Sequence, residues 1–184
     1  MNKAGTRTIK TERLILRRFT IGDAEGMYHN WASDPAVTEF LTWPTHTSVD
    51  VTKDLLTAWI SHYEEGDYFN WVLEYKETGA VIGNISVVHL REEISACEIG
   101  YCMGKAYWGK GIMPEALRAV IDYLFKEADM NRICACHDVN NPKSGRVMDK
   151  AGMKVEGTLR AASKNNKGIC DVTYHSIIRS DLEK

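Results

Sequence analysis

Two glycines, Gly109 and Gly111, stand between an apolar stretch with strand character and a long amphipathic segment that begins at Met113. The apolar residues of that segment recur at the spacing of one helix face, which predicts a helix: Leu117, Val120, Ile121, Leu124, Phe125 and Ala128. A glycine turn that opens a helix leaves backbone N–H groups unpaired at the positive end of the helix dipole. Because glycine has no side chain, a phosphate can approach this main chain closely. We therefore interpret the turn as the diphosphate cradle of a coenzyme.

Composition indicates one globular domain of ordinary size. The chain has 184 residues, of which 44% are hydrophobic and 26% charged, and its net charge is −2. So small a charge creates no global field that would attract nucleic acid, and any anion site must be local. The sequence shows no apolar run like that of a signal peptide and no stretch long enough to span a bilayer. These features predict a cytoplasmic protein with neither a membrane nor a nucleic acid as its partner.

The five cysteines do not form a metal-binding pattern. They stand at positions 97, 102, 134, 136 and 170, without paired C-x-x-C units. Cys134 and Cys136 are two residues apart in an apolar run, which places both on one face of a strand and the adjacent His137 on the other. We therefore expect buried free thiols and no metal ion.

Hydrophobic periodicity and turn residues predict about seven strands and about four helices. The strands are expected over 14–19, 69–75, 80–90, 96–103, 133–139, 155–160 and 171–178, and the helices over 20–30, 48–63, 113–128 and 142–152. The strands first follow one another directly and later alternate with helices, which predicts an α/β (α+β) fold with a mixed central sheet. No linker or repeat divides the chain. Residues 1–184 are therefore expected to form a single domain with its core over about 10–180.

Three motifs, in the order in which they stand, resemble those of the GNAT acyltransferase superfamily. They are Glu98-Ile-Gly-Tyr101, Trp108-Gly-Lys-Gly111-x-x-x-Glu115-Ala116, and Asn141-Pro-Lys-Ser144 leading to Lys150-Ala-Gly152-Met153. The chain looks closest to the branch that acetylates the N-termini of ribosomal proteins, and the similarity covers nearly all of it. The resemblance implies a GNAT-like domain in which a splayed strand pair binds coenzyme A. It also implies acetyl-CoA as cosubstrate, an amine acceptor such as a ribosomal protein N-terminus, no metal, and a homodimer as one possible assembly.

The resemblance places the coenzyme on the glycine turn and on the strand before it. The superfamily signature is Gln/Arg-x-x-Gly-x-Gly/Ala, and this chain departs from it with Trp108 in the first place and Met113 in the last. The amides from Gly109 to Met113 keep their function, because main-chain contacts to phosphate do not depend on side chains. The coenzyme-binding residues that the resemblance implies are Cys102, Met103, Trp108, Gly109, Lys110, Gly111, Ile112, Met113, Asn141 and Ser144.

The resemblance also implies a gap in the sheet. In enzymes of this kind, the strand that corresponds to 99–103 bulges and splays away from the strand that corresponds to 133–139. The pantetheine arm then hydrogen-bonds to the exposed main chain like an added strand. The amide near Met103 would polarise the thioester carbonyl, and Gly104 would let the chain turn away.

Two side chains match catalytic positions of the N-terminal acetyltransferase branch. Glu98 corresponds to the glutamate that acts as general base, directly or through water. Ser144 corresponds to the serine that donates a proton to the departing sulfur, since Met148 stands where many GNAT enzymes have a tyrosine. An α-amine, with a pKa near ~8, is partly neutral at pH 7 and asks little of such a base. Asn141 is expected to cap the helix that carries Ser144, with contact to the pantetheine as a second role.

Other functions compete with this interpretation. Residues 104–110 fit most of a Walker A loop, but Gly111 stands where that loop needs a serine or threonine for Mg²⁺. A small amine, such as an aminoglycoside or a polyamine, is the alternative acceptor, because fold does not fix substrate. A non-catalytic acyl-CoA-binding protein would keep the cradle without turnover. Direct attack in a ternary complex is expected, and Cys102 is the residue that would carry an acyl-enzyme instead.

Overall fold

One sheet of eight strands runs through the computed structural model, which describes residues 1–182. The strands are β1 (Ile9–Lys10), β2 (Leu14–Arg17), β3 (Asn70–Tyr75), β4 (Ala80–Arg91), β5 (Ala96–Met103), β6 (Arg132–Asp138), β7 (Lys154–Asn165) and β8 (Gly168–Ile178). Their order across the sheet is β1-β2-β3-β4-β5-β6-β8-β7. Within the described residues β5 and β6 are the one parallel pair, and the other neighbours pair antiparallel. The predicted mixed sheet is confirmed.

The strand predictions need two corrections. The two-residue strand β1 is additional to the seven expected, and it pairs with β2 through Ile9 and Lys10. Strands β7 and β8 are longer than expected, because their hairpin continues to the pair Asn165 and Gly168. Most of β7 is exposed. The alternation of hydrophobic and polar residues that predicts a strand requires one buried face, so it predicted only part of β7.

Five helices accompany the sheet. They are α1 (Ala24–Met27), α2 (Pro35–Thr38), α3 (Val49–Ser61), α4 (Ile112–Lys126) and α5 (Pro142–Lys150). The first predicted helix is wrong in detail, since a 3₁₀ turn at Ile21–Asp23 precedes α1 and a π turn at Tyr28–Ala32 follows it. Helix α2 was not expected from the sequence, although Asp34 accepts a hydrogen bond from the Ala36 amide at 2.9 Å and so caps this helix. None of the helices within residues 1–182 has the length and apolar character that crossing a membrane requires.

The sheet separates two hydrophobic cores. Val72 and Leu73 are neighbours on β3, and their side chains point to opposite faces of the sheet. Leu73 belongs to the core that contains Leu117 of α4, whereas Val72 belongs to the core that contains Met27 of α1 and Leu56 of α3. Helices α4 and α5 therefore cover one face, and α1 and α3 cover the other.

Candidate active site

Strands β5 and β6 begin side by side and then separate. Their parallel pairing covers Ala96 to Glu98 opposite Arg132 to Cys134 and ends there. Beyond that point β5 stays paired with β4 as far as Met103, and β6 stays paired with β8 as far as Asp138. The two strands thus follow different neighbours and leave a wedge-shaped gap between them, as the resemblance implied. We call this opening the β5–β6 gap.

The bulge beside the β5–β6 gap lies on a different strand from the one expected. Val87 of β4 pairs with Ile99, and His89 of β4 pairs with Glu98. Val88 is therefore the extra residue, and the bulge belongs to β4 rather than to β5. A bulge increases the local twist of a strand pair. Its position, at the level where β5 leaves β6, fits a turning of the β4–β5 pair away from β6.

Main-chain groups of β5 face the gap. The Gly104 amide donates to the Ile82 carbonyl at 2.8 Å. In an antiparallel pair, residues that exchange hydrogen bonds alternate with residues whose main chain points away. The main-chain groups of Cys102 therefore face β4, and those of Tyr101 and Met103 face the β5–β6 gap. The Met103 carbonyl accepts the indole N–H of Trp108 at 2.7 Å, which leaves the Met103 amide as the group directed into the gap.

The glycine turn has the backbone conformation that the cradle requires. Gly109 and Gly111 have φ values of +76° and +73°, in the left-handed region that favours glycine. Helix α4 begins directly after them, at Ile112. Within residues 1–182, the amides of residues 109–113 donate no hydrogen bond to the protein. Five unpaired N–H groups at the positive end of a 15-residue helix fit a diphosphate.

A carboxylate fixes the start of α4 to the edge of the sheet. Glu115 accepts hydrogen bonds from the Thr11 hydroxyl at 2.6 Å, from the Arg13 amide at 2.9 Å and from the Arg13 guanidinium at 2.7 Å. The same guanidinium donates to the Lys110 carbonyl at 2.9 Å. Burial by itself would raise the pKa of Glu115, but the hydrogen bonds from Thr11 and Arg13 outweigh it, and the pKa lies below its usual value. This residue therefore orients the cradle, a role that the sequence did not predict.

The face covered by α5 presents hydroxyl groups. The Tyr101 phenol donates to the Ser144 carbonyl at 2.9 Å, and its oxygen lies 3.0 Å from the Ser144 hydroxyl. Asn141 stands at the N-cap of α5 and its carbonyl accepts from the Ser144 amide at 3.0 Å, but its side chain forms no capping bond. Asn141 is therefore the N-cap residue, as expected, but its side chain does not supply the hydrogen bond of a cap. Met148, at the position of the absent tyrosine, is buried with 1% exposure.

Glu98 lies on the opposite face of the sheet from Tyr101, because the two are three residues apart on one strand. Its carboxylate accepts from the Cys136 thiol at 3.3 Å. Tyr174 lies opposite Cys136 on β8. Burial and then the charge of Glu98 raise the pKa values of the Cys136 thiol and the Tyr174 phenol to about 12. Both groups are therefore protonated near pH 7, and the Glu98 carboxylate is the hydrogen-bond acceptor of the Cys136 thiol.

The thiols are poor nucleophiles at this site. Cys102 donates to the Asn84 side-chain oxygen at 2.9 Å, and burial raises the pKa of its thiol to about 12. The main-chain groups of Cys102 face β4 and its thiol faces Asn84, so neither is directed into the β5–β6 gap. All five cysteines are free, but Cys134, Cys136 and Cys170 are half-buried rather than buried as predicted. A thiol with a pKa near 12 supplies almost no thiolate at neutral pH.

The tip of the β7–β8 hairpin reaches the loop that follows α2, on the same sheet face as Glu98. The Asn166 amide donates to the Leu41 carbonyl at 3.1 Å, and its side chain donates to the carbonyls of Thr38 and Trp43, each at 2.8 Å. Lys167 forms an ion pair with Glu39 at 2.7 Å. These contacts link the β7–β8 hairpin to the loop after α2, although the two are far apart in sequence. They form one boundary of the space on the Glu98 side of the sheet.

Comparisons with known proteins agree with this geometry. Residues 13–154 match the family model described as "Acetyltransferase (GNAT) domain". The chain is 32% identical over 174 residues, 95% of its length and 97% of the relative, to "Uncharacterized N-acetyltransferase p20" of Bacillus licheniformis. It is 28% identical over 139 residues, 75% of its length and 76% of the relative, to the ribosomal-protein-serine acetyltransferase of Escherichia coli. A GNAT-family acetyltransferase structure from Bacillus anthracis superposes with a TM-score of 0.83 at 26% identity, covering 95% of this chain and 99% of that one.

Proposed function

This chain belongs to the acetyltransferase (GNAT) domain family, and we propose that it acetylates the α-amine at the N-terminus of a protein, with a ribosomal protein as the acceptor. Its membership makes it an N-acetyltransferase with acetyl-CoA as the acetyl donor, as the sequence predicted. The observation that carries the proposal is the β5–β6 gap, which has the Glu98 carboxylate on one face and the Ser144 hydroxyl on the other. An amine and a thioester that meet in this gap would find a base and a hydrogen-bond donor on opposite sides.

The proposed coenzyme site joins the glycine turn to the gap. The amides of residues 109–113 hold the diphosphate, with Lys110 adding positive charge and Trp108 linking the turn to Met103. The pantetheine arm lies along the main chain of Tyr101 and Met103. The Asn141 side chain makes no capping bond to α5 and is therefore free to bind this arm. Ser144 completes the set beside the sulfur. We leave Cys102 out, because its main chain and its side chain both face away from the gap.

The proposed reaction is direct transfer in a ternary complex. The neutral amine attacks the thioester carbonyl, and the amide of Met103 or Tyr101 stabilises the oxyanion that forms. Glu98 accepts the proton that the amine loses, directly or through water, and the Ser144 hydroxyl donates a hydrogen bond to the sulfur as the C–S bond breaks, so that coenzyme A leaves as a thiolate and Ser144 keeps its proton. A thiol pKa near ~8.5 makes the thiolate a good leaving group that needs only modest help. Direct transfer needs no acyl-enzyme, and burial raises the pKa values of the Cys102 and Cys136 thiols to about 12, so neither supplies much thiolate near pH 7.

Two observations support a protein N-terminus as the acceptor. The relative from Escherichia coli is a ribosomal-protein-serine acetyltransferase, and the match covers three quarters of each chain. An α-amine also suits a site whose proposed base is a carboxylate, since the pKa of an α-amine lies more than two units below that of a lysine side chain. A ribosomal acceptor would place the protein in the cytoplasm.

The test compares acceptors by the rate of coenzyme A thiol release without Mg²⁺. One peptide carries a free serine or alanine N-terminus and no lysine, and its matched control has a blocked N-terminus and one lysine. Spermidine and an aminoglycoside are the other two acceptors that the assay compares. We expect kcat/KM for the free N-terminus to exceed the other values by at least about tenfold, which corresponds to about 1.4 kcal/mol. Faster turnover of spermidine or of the aminoglycoside would assign a small-amine acceptor, and acetyl-CoA binding without turnover of any amine would indicate a non-catalytic protein.

A further inference from the structure

Tyr101 has a double contact to the residue that the proposed mechanism uses as hydrogen-bond donor to the sulfur. Its phenol donates to the Ser144 carbonyl at 2.9 Å, and the same oxygen lies 3.0 Å from the Ser144 hydroxyl. A phenol has one proton. Since that proton goes to the carbonyl, the serine hydroxyl is the donor in the second contact whenever it has no other acceptor. The two residues are 43 positions apart, so this contact exists only because β5 and α5 meet beside the gap.

The contact fixes both the backbone and the side chain of Ser144. Helix α5 has nine residues, Ser144 lies in its first turn, and the side chain of the capping residue Asn141 makes no bond that would hold this turn. A bond from β5 to the Ser144 carbonyl therefore ties the first turn of α5 to the wall of the gap, in addition to the main-chain bond between Ser144 and Asn141. The second contact selects the serine rotamer whose oxygen points to β5.

We propose that Tyr101 is a positioning residue that holds the Ser144 hydroxyl at the β5–β6 gap in the orientation needed to donate to the departing sulfur. The inference rests on the role of Ser144 in the proposed function. Tyr101 itself transfers no proton. Burial raises the pKa of its phenol well above the ordinary value, and this keeps the phenol neutral over the working pH range. When a thiolate forms in the gap, the serine proton turns from the phenol oxygen to the sulfur, while the bond from Tyr101 to the Ser144 carbonyl stays in place.

This role explains how a chain with Met148 in place of a helical tyrosine can still act on the leaving group. The methionine has no proton to give and is buried in the core. A serine hydroxyl on a short helix is free to rotate. Holding it in one orientation reduces the entropic cost of bringing it into line with the sulfur. Strand β5 supplies that restraint with a phenol from outside the helix.

The main experiment is a double-mutant cycle with Tyr101→Phe and Ser144→Ala. Tyr101→Phe keeps the ring and removes the hydroxyl. We expect kcat to fall about fivefold, the equivalent of about 1 kcal/mol for one hydrogen bond, while the Kd for acetyl-CoA stays within about twofold. In the Ser144→Ala background the same change should cost nothing further, because its effect acts through the missing hydroxyl.

A second measurement reads the sulfur directly. The pKa of the coenzyme A thiol on the enzyme can be followed by the ultraviolet absorbance of its thiolate. A hydroxyl that donates to sulfur stabilises the thiolate and lowers this pKa. We expect the thiol pKa to rise in both Tyr101→Phe and Ser144→Ala, and to rise no further in the double variant.

Tyr123→Phe is the matched control. The Tyr123 phenol also donates to a main-chain carbonyl, that of Gly5 at 2.7 Å, but its ring packs against Trp71 of β3 rather than against α5. This variant should lose a comparable amount of stability and keep the wild-type kcat and thiol pKa. A merely structural role for Tyr101 predicts that Tyr101→Phe behaves in the same way.

The outcomes separate the two proposals. If Ser144→Ala turns over like the wild type, the role of Ser144 as hydrogen-bond donor in the proposed function is wrong, and the role of Tyr101 falls with it. If Ser144→Ala is impaired but Tyr101→Phe has wild-type kcat and thiol pKa, the positioning role alone is overturned. A loss from Tyr101→Phe that is equally large with and without Ser144 would overturn it as well.

Discussion

The two ends of the proposed coenzyme site are built in different ways. The cradle consists of consecutive main-chain amides, residues 109–113, that two glycines and a helix start leave unpaired. The β5–β6 gap depends on side chains from separate elements, with Glu98 on β5 and Ser144 on α5. We expect a main-chain site to tolerate unusual side chains such as Trp108 and Met113, because N–H groups would bind the diphosphate. A side-chain site fails when one group moves, so we expect the two ends to respond differently to mutation.

The largest expected effect belongs to the gap. Glu98→Gln removes the proton acceptor and keeps the size of the side chain, so kcat should fall on the order of 100-fold at pH 7. The loss should be greater at low pH and smaller near pH 9, where the α-amine is already neutral. Initial rates across this pH range test the prediction.

The control for this variant is Glu93→Gln, which changes an exposed carboxylate that contacts Arg91 at the end of β4. It should keep the wild-type rate, and the Kd for acetyl-CoA should change by less than about twofold in both variants. A loss from Glu98→Gln that is equal at all pH values would remove Glu98 from the role of base.

The next effect belongs to the cradle. Gly111→Ala forces an L-residue to φ +73°, at a cost of about 1–2 kcal/mol, or lets the turn relax out of its shape. We expect the Kd for acetyl-CoA, measured by calorimetry, to rise about tenfold, with kcat at saturation nearly unchanged.

Gly79→Ala is the matched control for Gly111→Ala, because it introduces a similar backbone strain outside the proposed coenzyme site. Gly79 has φ +69° in the β3–β4 turn, and a Cβ there would meet nothing within 4 Å. It should lose similar stability and keep the wild-type Kd. Equal Kd values for the two variants would show that the diphosphate lies elsewhere.

A smaller effect is expected where the cradle is anchored. Glu115→Gln weakens the bonds from Arg13 and should lower the free energy of unfolding by about 1 kcal/mol at pH 7. The folded-state pKa of Glu115 is lowered, so its stabilisation is complete above the unfolded pKa of about 4.3 and disappears as the pH falls through the folded value.

Urea unfolding at pH 7 and at pH 3 tests this dependence. The difference between wild type and Glu115→Gln should shrink at the lower pH, whereas Glu12→Gln, which alters an exposed carboxylate nearby, should match the wild type at both. A difference that does not depend on pH would mean that the charge of Glu115 is not what fixes the cradle.

The smallest effect is expected for Cys102. Cys102→Ala should change kcat by less than about twofold, because the thiol faces Asn84 and not the gap. Intact-mass spectrometry of the wild type after incubation with acetyl-CoA alone should show no added acetyl group. An acetylated thiol would replace direct attack by a covalent mechanism.

The features that could be predicted from the sequence are those that neighbouring residues control. The glycines at 109 and 111, the helix after them and the hairpin around Gly79 depend on neighbouring residues, and the structure shows each of them. Contacts that join distant residues could not be predicted in this way. Neither the bonds between Glu115 and Arg13 nor the contact between Tyr101 and Ser144 leaves a periodic pattern in the chain.

The sequence by itself determined the mixed sheet, the glycine turn before α4 and, through its motifs, the family. These depend on backbone conformation and on spacing along the chain, which local residues control. Only the tertiary structure decided that the bulge lies on β4, that Cys102 faces away from the gap, and that Tyr101 meets Ser144. The physical reason is that strand register and helix docking result from burying two cores at once, and this fixes side chains against partners that no local pattern reveals.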